Sequence, residues 1–383
     1  MFNFEMQNPT RLVFGRGTIP RLKELVPQNA RVMLTYGGGS IRKNGVYQQV
    51  KEALPHVTWV EFGGIEPNPR FETLMKAVEL ARVEKVDFLL AVGGGSVVDG
   101  TKFIAAAVPF AGGDAWQILS GAAVKSALPI GVVLTLPATG SEANGSSVVS
   151  RDSTTEKLHF HSPLVYPAFS ILDPETTFSL DSRQTGNGVV DAFVHTCEQY
   201  VTSHQDSPLQ ERFAESILAT LVEEGPKVLS NPTDYAARAN IMWCATQALF
   251  GLVGPGVPGD WATHGIGHEL TAFYGLDHAR TLAVIMPGVW RYQFDRKLAA
   301  LAQYGSRVWF LDGEDRWVAS QAIDRTEAFF ESMGVCTHFS GYGIDAKEAA
   351  SRVRARFEER GAKQGEKGLL GPADVEKIIL SRA

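Results

Sequence analysis

The feature that most limits the folds open to this chain is an apolar run that ends in glycine. Phe88–Val92 passes directly into Gly93, Gly94, Gly95 and Ser96, and from there into a helix-periodic segment, Val98–Ala107. A short, uninterrupted apolar run bounded by glycine reads as a strand buried on both faces. The glycines let the backbone approach a phosphate closely, and the helix start supplies unpaired N–H groups and a favourable dipole. A triple glycine can also be a plain strand-to-helix turn. Its place at the carboxyl end of a strand favours a pyrophosphate site. It is neither a G-x-G-x-x-G nor a Walker A loop, because no Lys-Ser/Thr follows.

The pattern repeats along the first half. Strand-like runs lie at Arg31–Tyr36, Val57–Phe62, Ile130–Leu136 and Phe169–Leu172, with a helical period at Phe71–Lys85. This alternation predicts a parallel sheet with helices on both faces. A second glycine loop, Gly37, Gly38, Gly39 and Ser40, follows the first of these runs, and a polar loop with Thr135, Thr139 and Ser141 follows another. Tyr36–Ile41 offers no acid to meet a ribose 2′-hydroxyl, while Arg42 and Lys43 stand nearby. A 2′-phosphate would be accepted there, so the cofactor expected is NADP(H) and not NAD(H).

From Asp181 onward the periodicity is helical: Gly188–Thr202, Pro208–Leu229, Tyr235–Leu252, Ala262–Tyr274, Thr281–Tyr292 and Arg316–Met333. At 383 residues the chain exceeds one ordinary core. We expect an α/β, Rossmann-like domain over 1–178 and an all-α domain over 179–383, with the cleft between them as the natural place for a site.

The helical half carries the acid and imidazole side chains. Asp191 and His195 are four apart, as are His264 and His268, so each pair shares a helix face and can reach one ion. Val189, Val190, Ala192, Phe193 and Val194 make the first of these helices a buried one, where a carboxylate needs a partner or a cation. A hydrogen-bonded Asp–His pair in a core is the plainer reading. Against it, four of the nine His fall on these two pieces. A straight helix from His264 to His278 would separate them by about 21 Å. Gly275-Leu276-Asp277 must therefore turn the chain if His278 is to share the ion. Spacing alone leaves His268 and His278 both open as the fourth ligand.

Composition removes several alternatives. The net charge is −6 without a Lys/Arg cluster, which argues against nucleic acid or an anionic membrane as partner. Cys197, Cys244 and Cys336 are too few and too far apart for a disulfide framework, which fits a reducing cytoplasm. The first residues lack the pattern of a signal peptide, and the apolar stretch Ile241–Trp261 is broken by Gly and Pro, unlike a membrane span.

With these motifs in order, the chain resembles the iron-containing alcohol dehydrogenase family from end to end, and within it the NADPH-dependent aldehyde reductases and butanol dehydrogenases. The matching stretches are Pro9–Gly15, Phe62–Pro69, Gly93–Lys102, Leu136–Glu142, Asp191–Glu198 and His264–His278. The resemblance implies a dehydroquinate synthase-like architecture and a divalent metal, Fe(II) or Zn(II), held by Asp191, His195, His264 and His278. It leaves His268 beside the nicotinamide as a candidate catalytic proton relay. It implies cofactor contacts from Gly37, Gly38, Ser40, Gly94, Gly95, Ser96, Asp99, Thr135, Thr139, Ser141 and Lys157, and a homodimer formed through the N-terminal domain.

The chemistry these parts suit is reversible hydride transfer between NADPH and a short- to medium-chain aldehyde. The ion would act as a Lewis acid. One Asp and three neutral His leave a divalent ion with a residual +1, the right sign for an oxygen gaining negative charge. A dehydroquinate synthase-like lyase would need cations for an acidic, phosphorylated substrate, and Gly251–Leu276 contains no Lys or Arg. A glycerol-type polyol dehydrogenase is the other alternative, but Phe250, Leu252, Val253 and Trp261 suit an apolar substrate better. A metal-binding protein without activity is disfavoured by the retention of every motif position.

Overall fold

The structure, a computed structural model, describes residues 1–203 and 206–383. Its chain divides into two compact units. One comprises Gln7–Leu180 with Pro232–Thr246; the other comprises Met1–Met6, Asp181–Asn231 and Gln247–Ala383.

The first unit is built on a parallel sheet of six strands: β1 (Arg11–Phe14), β2 (Arg31–Tyr36), β3 (Thr58–Phe62), β4 (Phe88–Gly94), β5 (Ile130–Leu136) and β8 (Phe169–Leu172), in the order β1-β8-β5-β4-β2-β3. A separate antiparallel hairpin pairs β6 (Ser146–Arg151) with β7 (Glu156–His161). The strand-like runs become strands because alternate residues feed two cores. Val32, Leu34, Leu90, Val92 and Val133 lie in one. Met33, Leu89, Ala91, Val132 and Leu134 lie in the other. Helix α1 (Val46–Ala53) covers the first face through Val46 and Val50. Helices α2 (Phe71–Val83) and α3 (Gly95–Ala107) cover the second. The expected α/β architecture is therefore present, with β1 and the hairpin added. Periodicity could not reveal either: β1 is a single short edge strand, and the hairpin gains its apolar partners only on folding.

The order of the strands places the loops. From β2 the chain moves outward to β3, and from β4 it moves the other way to β5. The carboxyl ends of β2 and β4 therefore flank the point where the winding reverses, the usual position of a nucleotide in such sheets.

The second unit is helical. It contains α4 (Ser182–Tyr200), α5 (Pro208–Ser230), α7 (Ala262–Tyr274), α8 (His278–Tyr292), α9 (Phe294–Val308), α10 (Asp315–Ser332), α11 (Ala346–Arg360) and α12 (Pro372–Leu380). The helix between them in sequence, α6 (Tyr235–Ala248), falls mainly in the first unit, where Met242 joins the sheet core and Trp243 packs edge-on against Phe14. In the helical core Phe193 meets Tyr304, Phe329 and Phe330 at ring-centre distances of 5.4 to 6.5 Å. Gly275 adopts a left-handed backbone (φ 67°), ends α7 and lets α8 begin at His278. Gly267 brings those two helices close: a Cβ there would lie 2.9 Å from Thr281 Oγ1. Among the described residues no helix is long and apolar enough to cross a membrane.

Candidate active site

Helix α4 is capped at its start by Asp181, whose side chain accepts from Gln184 N. It carries Asp191 and His195 one turn apart, both buried. Helix α7 supplies His264 and the first residue of α8 supplies His278. One ligand-capable atom from each of these four side chains lies within 4.8 Å of the others. Asp191 Oδ1 stands 3.7 Å from His195 Nδ1 and 3.9 Å from His278 Nε2. Donors around a tetrahedral ion with bonds of about 2.1 Å lie about 3.4 Å apart, so the cluster needs little adjustment to close on a cation. The imidazoles lie together: the rings of His195 and His264 stack at 4.6 Å, and those of His264 and His278 meet edge-on at 5.2 Å.

Protonation favours ligation too. Burial pushes the His195 imidazolium down to about 4, more than the neighbouring Asp191 carboxylate raises it, so the ring is neutral at pH 7. His264 Nδ1 is hydrogen-bonded to the Glu198 carboxylate, which makes Nε2 the atom this ring can offer a metal. One carboxylate and three imidazoles therefore form a donor set that fits a divalent ion. His268, one turn beyond His264, is half-buried and outside the four. Its ring centre is 5.2 Å from that of His278 and 6.3 Å from that of His264. His278 thus lies inside the cluster and His268 beside it.

The glycine-rich and hydroxyl-bearing loops occupy the carboxyl ends of three neighbouring strands, β2, β4 and β5. Gly37, Gly38 and Ser40 follow β2. Gly94 closes β4 and precedes α3, whose first residues are Gly95 and Ser96. Thr135, Thr139 and Ser141 belong to β5 and the turn after it. The glycines are needed because β5's loop approaches so closely. A Cβ on Gly95 would lie 2.3 Å from Thr139 Oγ1, and one on Gly94 would lie 2.9 Å from Leu136 Cβ.

Asp99 is buried and accepts from Ser141 Oγ (2.5 Å) and Val148 N (3.2 Å). Lys102, fully buried, donates to Ser141 Oγ, Asn144 Oδ1 and Ser146 O, and burial pushes its ammonium down to about 8 in spite of Asp99 and Glu142. These two residues tie α3 to the loop after β5. Lys157, on β7, donates to Asn68 Oδ1 (2.9 Å), and Asn68 N donates to Ser96 Oγ (3.2 Å). Asn68 holds a left-handed backbone (φ 55°) and is a residue that sequence reasoning missed. Its signal was the Asn-Pro pair at 68–69, a turn former whose purpose is visible only in three dimensions.

A second omission lies beside the Gly37–Ser40 loop. Arg42 Nη2 donates to Glu61 Oε2 (2.6 Å) and to Tyr36 OH (3.0 Å), with its guanidinium 4.1 Å from the Tyr47 ring centre. Glu61, an acid on β3 beside the end of β2, is thus paired with Arg42, which offsets its charge. It was illegible because it lies twenty or so positions downstream, on another strand.

Comparison with known proteins places this geometry. The family pattern described as "Iron-containing alcohol dehydrogenase" matches residues 9–174, and "Fe-containing alcohol dehydrogenase family, C-terminal" matches residues 185–379. The chain is 55% identical over 368 residues to the Escherichia coli NADPH-dependent aldehyde reductase YqhD, covering 95% of each. It is 43% identical to the Bacillus subtilis probable NADH-dependent butanol dehydrogenase 1, over 91% of this chain and 92% of that one. The crystal structure of E. coli YqhD superposes with a TM-score of 0.98 at 53% identity, covering 100% of this chain and 99% of that chain. The buried carboxylate-and-imidazole cluster and the glycine loops at the ends of parallel strands therefore have a common explanation: this chain is an oxidoreductase belonging to the iron-containing alcohol dehydrogenase family.

Proposed function

We propose that this protein is an NADP(H)-dependent alcohol dehydrogenase that reduces short- to medium-chain aldehydes with a single divalent metal, iron or zinc. The observation that carries the reading is the convergence of Asp191, His195, His264 and His278, three of them buried, on one point. A divalent ion bound there supplies Lewis acidity toward the carbonyl oxygen, and NADPH supplies the hydride. Asp191 offsets one unit of the ion's charge, and the three neutral rings leave the remainder. His268, close to the cluster yet outside it, is suited to deliver a proton to the product oxygen.

The loops Gly37–Ser40, Gly94–Ser96 with Asp99, and Thr135–Ser141, together with Lys157, are proposed to hold the nucleotide. Preference for NADP(H) is supported by the small residues at the end of β2 and by Arg42. The relatives differ on this point, one being described as NADPH-dependent and one as NADH-dependent. We further propose a domain boundary near residue 178, with Pro232–Thr246 returning to the first domain, a cytoplasmic location and a homodimer.

The test is a panel of linear aldehydes, glycerol-type polyols and branched substrates assayed with NADPH and NADH, on protein of measured metal content. Linear aldehydes with NADPH should give the highest kcat/KM. A preference for NADH, or for polyols, would overturn the corresponding part of the proposal. Turnover of an acidic phosphorylated compound without net NADPH consumption would replace it with a lyase.

A further inference from the structure

Helix α7, which brings His264 to the cluster, is capped locally only at Ala262 N, which donates to Asp260 Oδ1 at 3.3 Å. Its N-cap residue, Trp261, has a left-handed backbone (φ 58°) and makes no side-chain cap bond. The first N–H groups of a helix need acceptors, normally from a Ser, Thr, Asp or Asn at that position. Here an acceptor comes from another helix. Glu198, buried on α4, accepts from Thr263 N (2.8 Å), from His264 N (3.2 Å) and from His264 Nδ1. Asp191, His195 and Glu198 are spaced i, i+4, i+7 on α4 and so share one face. The helix that carries two of the four donors thus also grips the helix that carries a third.

Glu198 is itself fixed from behind. Its backbone carbonyl accepts from Asp260 N (2.8 Å). The Asp260 carboxylate meets the fully buried Lys297 ammonium at 2.6 Å. Lys297 also contacts Glu366 Oε1 (2.8 Å) and Val201 O (2.6 Å), and Glu366 accepts from Ser203 N (3.0 Å). A buried ammonium with two carboxylates and a carbonyl is a satisfied group, and its removal would leave buried carboxylates unpaired. Its partners sit at the end of α4, at the turn just before α7 and in the C-terminal segment. The network therefore sets the distance between the two helices at the point where Glu198 spans it.

We propose that Glu198 is a positioning residue for the metal centre, capping α7 in trans while holding the His264 ring with Nε2 toward the ion, and that Lys297 anchors it. The inference rests on the metal-centre reading given above. Carboxylates in this relation to a ligating histidine typically contribute 10- to 100-fold to metal affinity.

The test uses full-length protein stripped of metal, titrated with Co(II) by its visible absorption against a competing chelator, with the melting temperature of each metal-free protein measured alongside. In Glu198→Gln the amide cannot accept at both ends, so it loses Thr263 N or turns its NH2 group on His264. Co(II) affinity should fall about 10- to 100-fold, and Glu198→Asp, which keeps the charge, should recover part of it. Affinity within twofold of wild type in Glu198→Gln, whatever its melting temperature, overturns the proposal and leaves Glu198 as a helix cap only. If Glu198→Gln does not fold, the same titration on Glu198→Met, which keeps the length but has no carboxylate, decides by the same twofold limit. A wild-type chain that takes up no Co(II) overturns the metal-centre reading itself, and this inference with it.

Discussion

Gly95→Ala probes the proposed nucleotide loop with one added methyl group. Gly95 opens α3, and its backbone lies in the ordinary helical region, so alanine meets no conformational strain there. The difficulty is space. The new Cβ would lie 2.3 Å from Thr139 Oγ1, 2.6 Å from its Cγ2 and 3.0 Å from its Cβ. Carbon contacts settle near 3.5 Å, so the β5 loop must retreat by about 1 Å. Overpacking of this kind costs about 1–3 kcal/mol. Alanine's helix preference over glycine returns at most about 1 kcal/mol, so the clash wins. The effect is measured by urea unfolding of the metal-free, nucleotide-free chain and by fluorescence titration with NADPH. Gly95→Ala should lose stability and bind NADPH more weakly. In a Thr139→Ala background two of the three close contacts disappear, and at least half of the lost stability should return. Equal destabilisation in both backgrounds would refute the steric argument.

Three further outcomes follow from the geometry. His264→Ala should lose its metal, measured by elemental analysis, whereas His268→Ala should retain it and lower kcat; equal metal loss would reject the division of roles. Arg42→Ala should raise the KM for NADPH severalfold more than that for NADH, and parallel rises in steady-state kinetics would remove Arg42 from cofactor selection. Burial alone would raise the Glu327 carboxyl, but Arg382 and Arg291 hold it below its ordinary value of 4.5. A depressed carboxyl contributes stability that is present above the unfolded pKa and lost as pH falls through the folded one. Glu327→Gln should therefore be less stable than wild type at pH 7, with the gap closing below pH 4.5 in urea unfolding; a gap independent of pH would refute the ion-pair account.

The parts of this molecule that were legible in its sequence are those where one local pattern decides the outcome. Phe88–Val92 reads as a strand because both its faces are buried, and Gly275 reads as a turn because left-handed backbone suits glycine. The spacing of Asp191 and His195 also survives folding, because a helix is a rigid ruler. What stayed hidden depends on distant segments. Glu61 reaches Arg42, Asn68 reaches both Lys157 and Ser96, and Glu198 caps a helix that begins more than sixty positions later. Helix α6 shows the same limit: its period is plain, but not the core it would join. Helix α11 escaped notice because charged residues dilute its apolar stripe; α9 and α12 were missed although their apolar faces are well defined.

The donors at 191, 195, 264 and 278 come from three helices and are far apart along the chain. An ion gripping all four would act as a cross-link, closing a long loop that the unfolded chain must otherwise leave open. Metal binding is then also folding free energy for the helical unit. At a free ion concentration a thousand times the Kd the gain is about 4 kcal/mol. Cellular metal supply would thus set how long this enzyme survives as well as how fast it turns over.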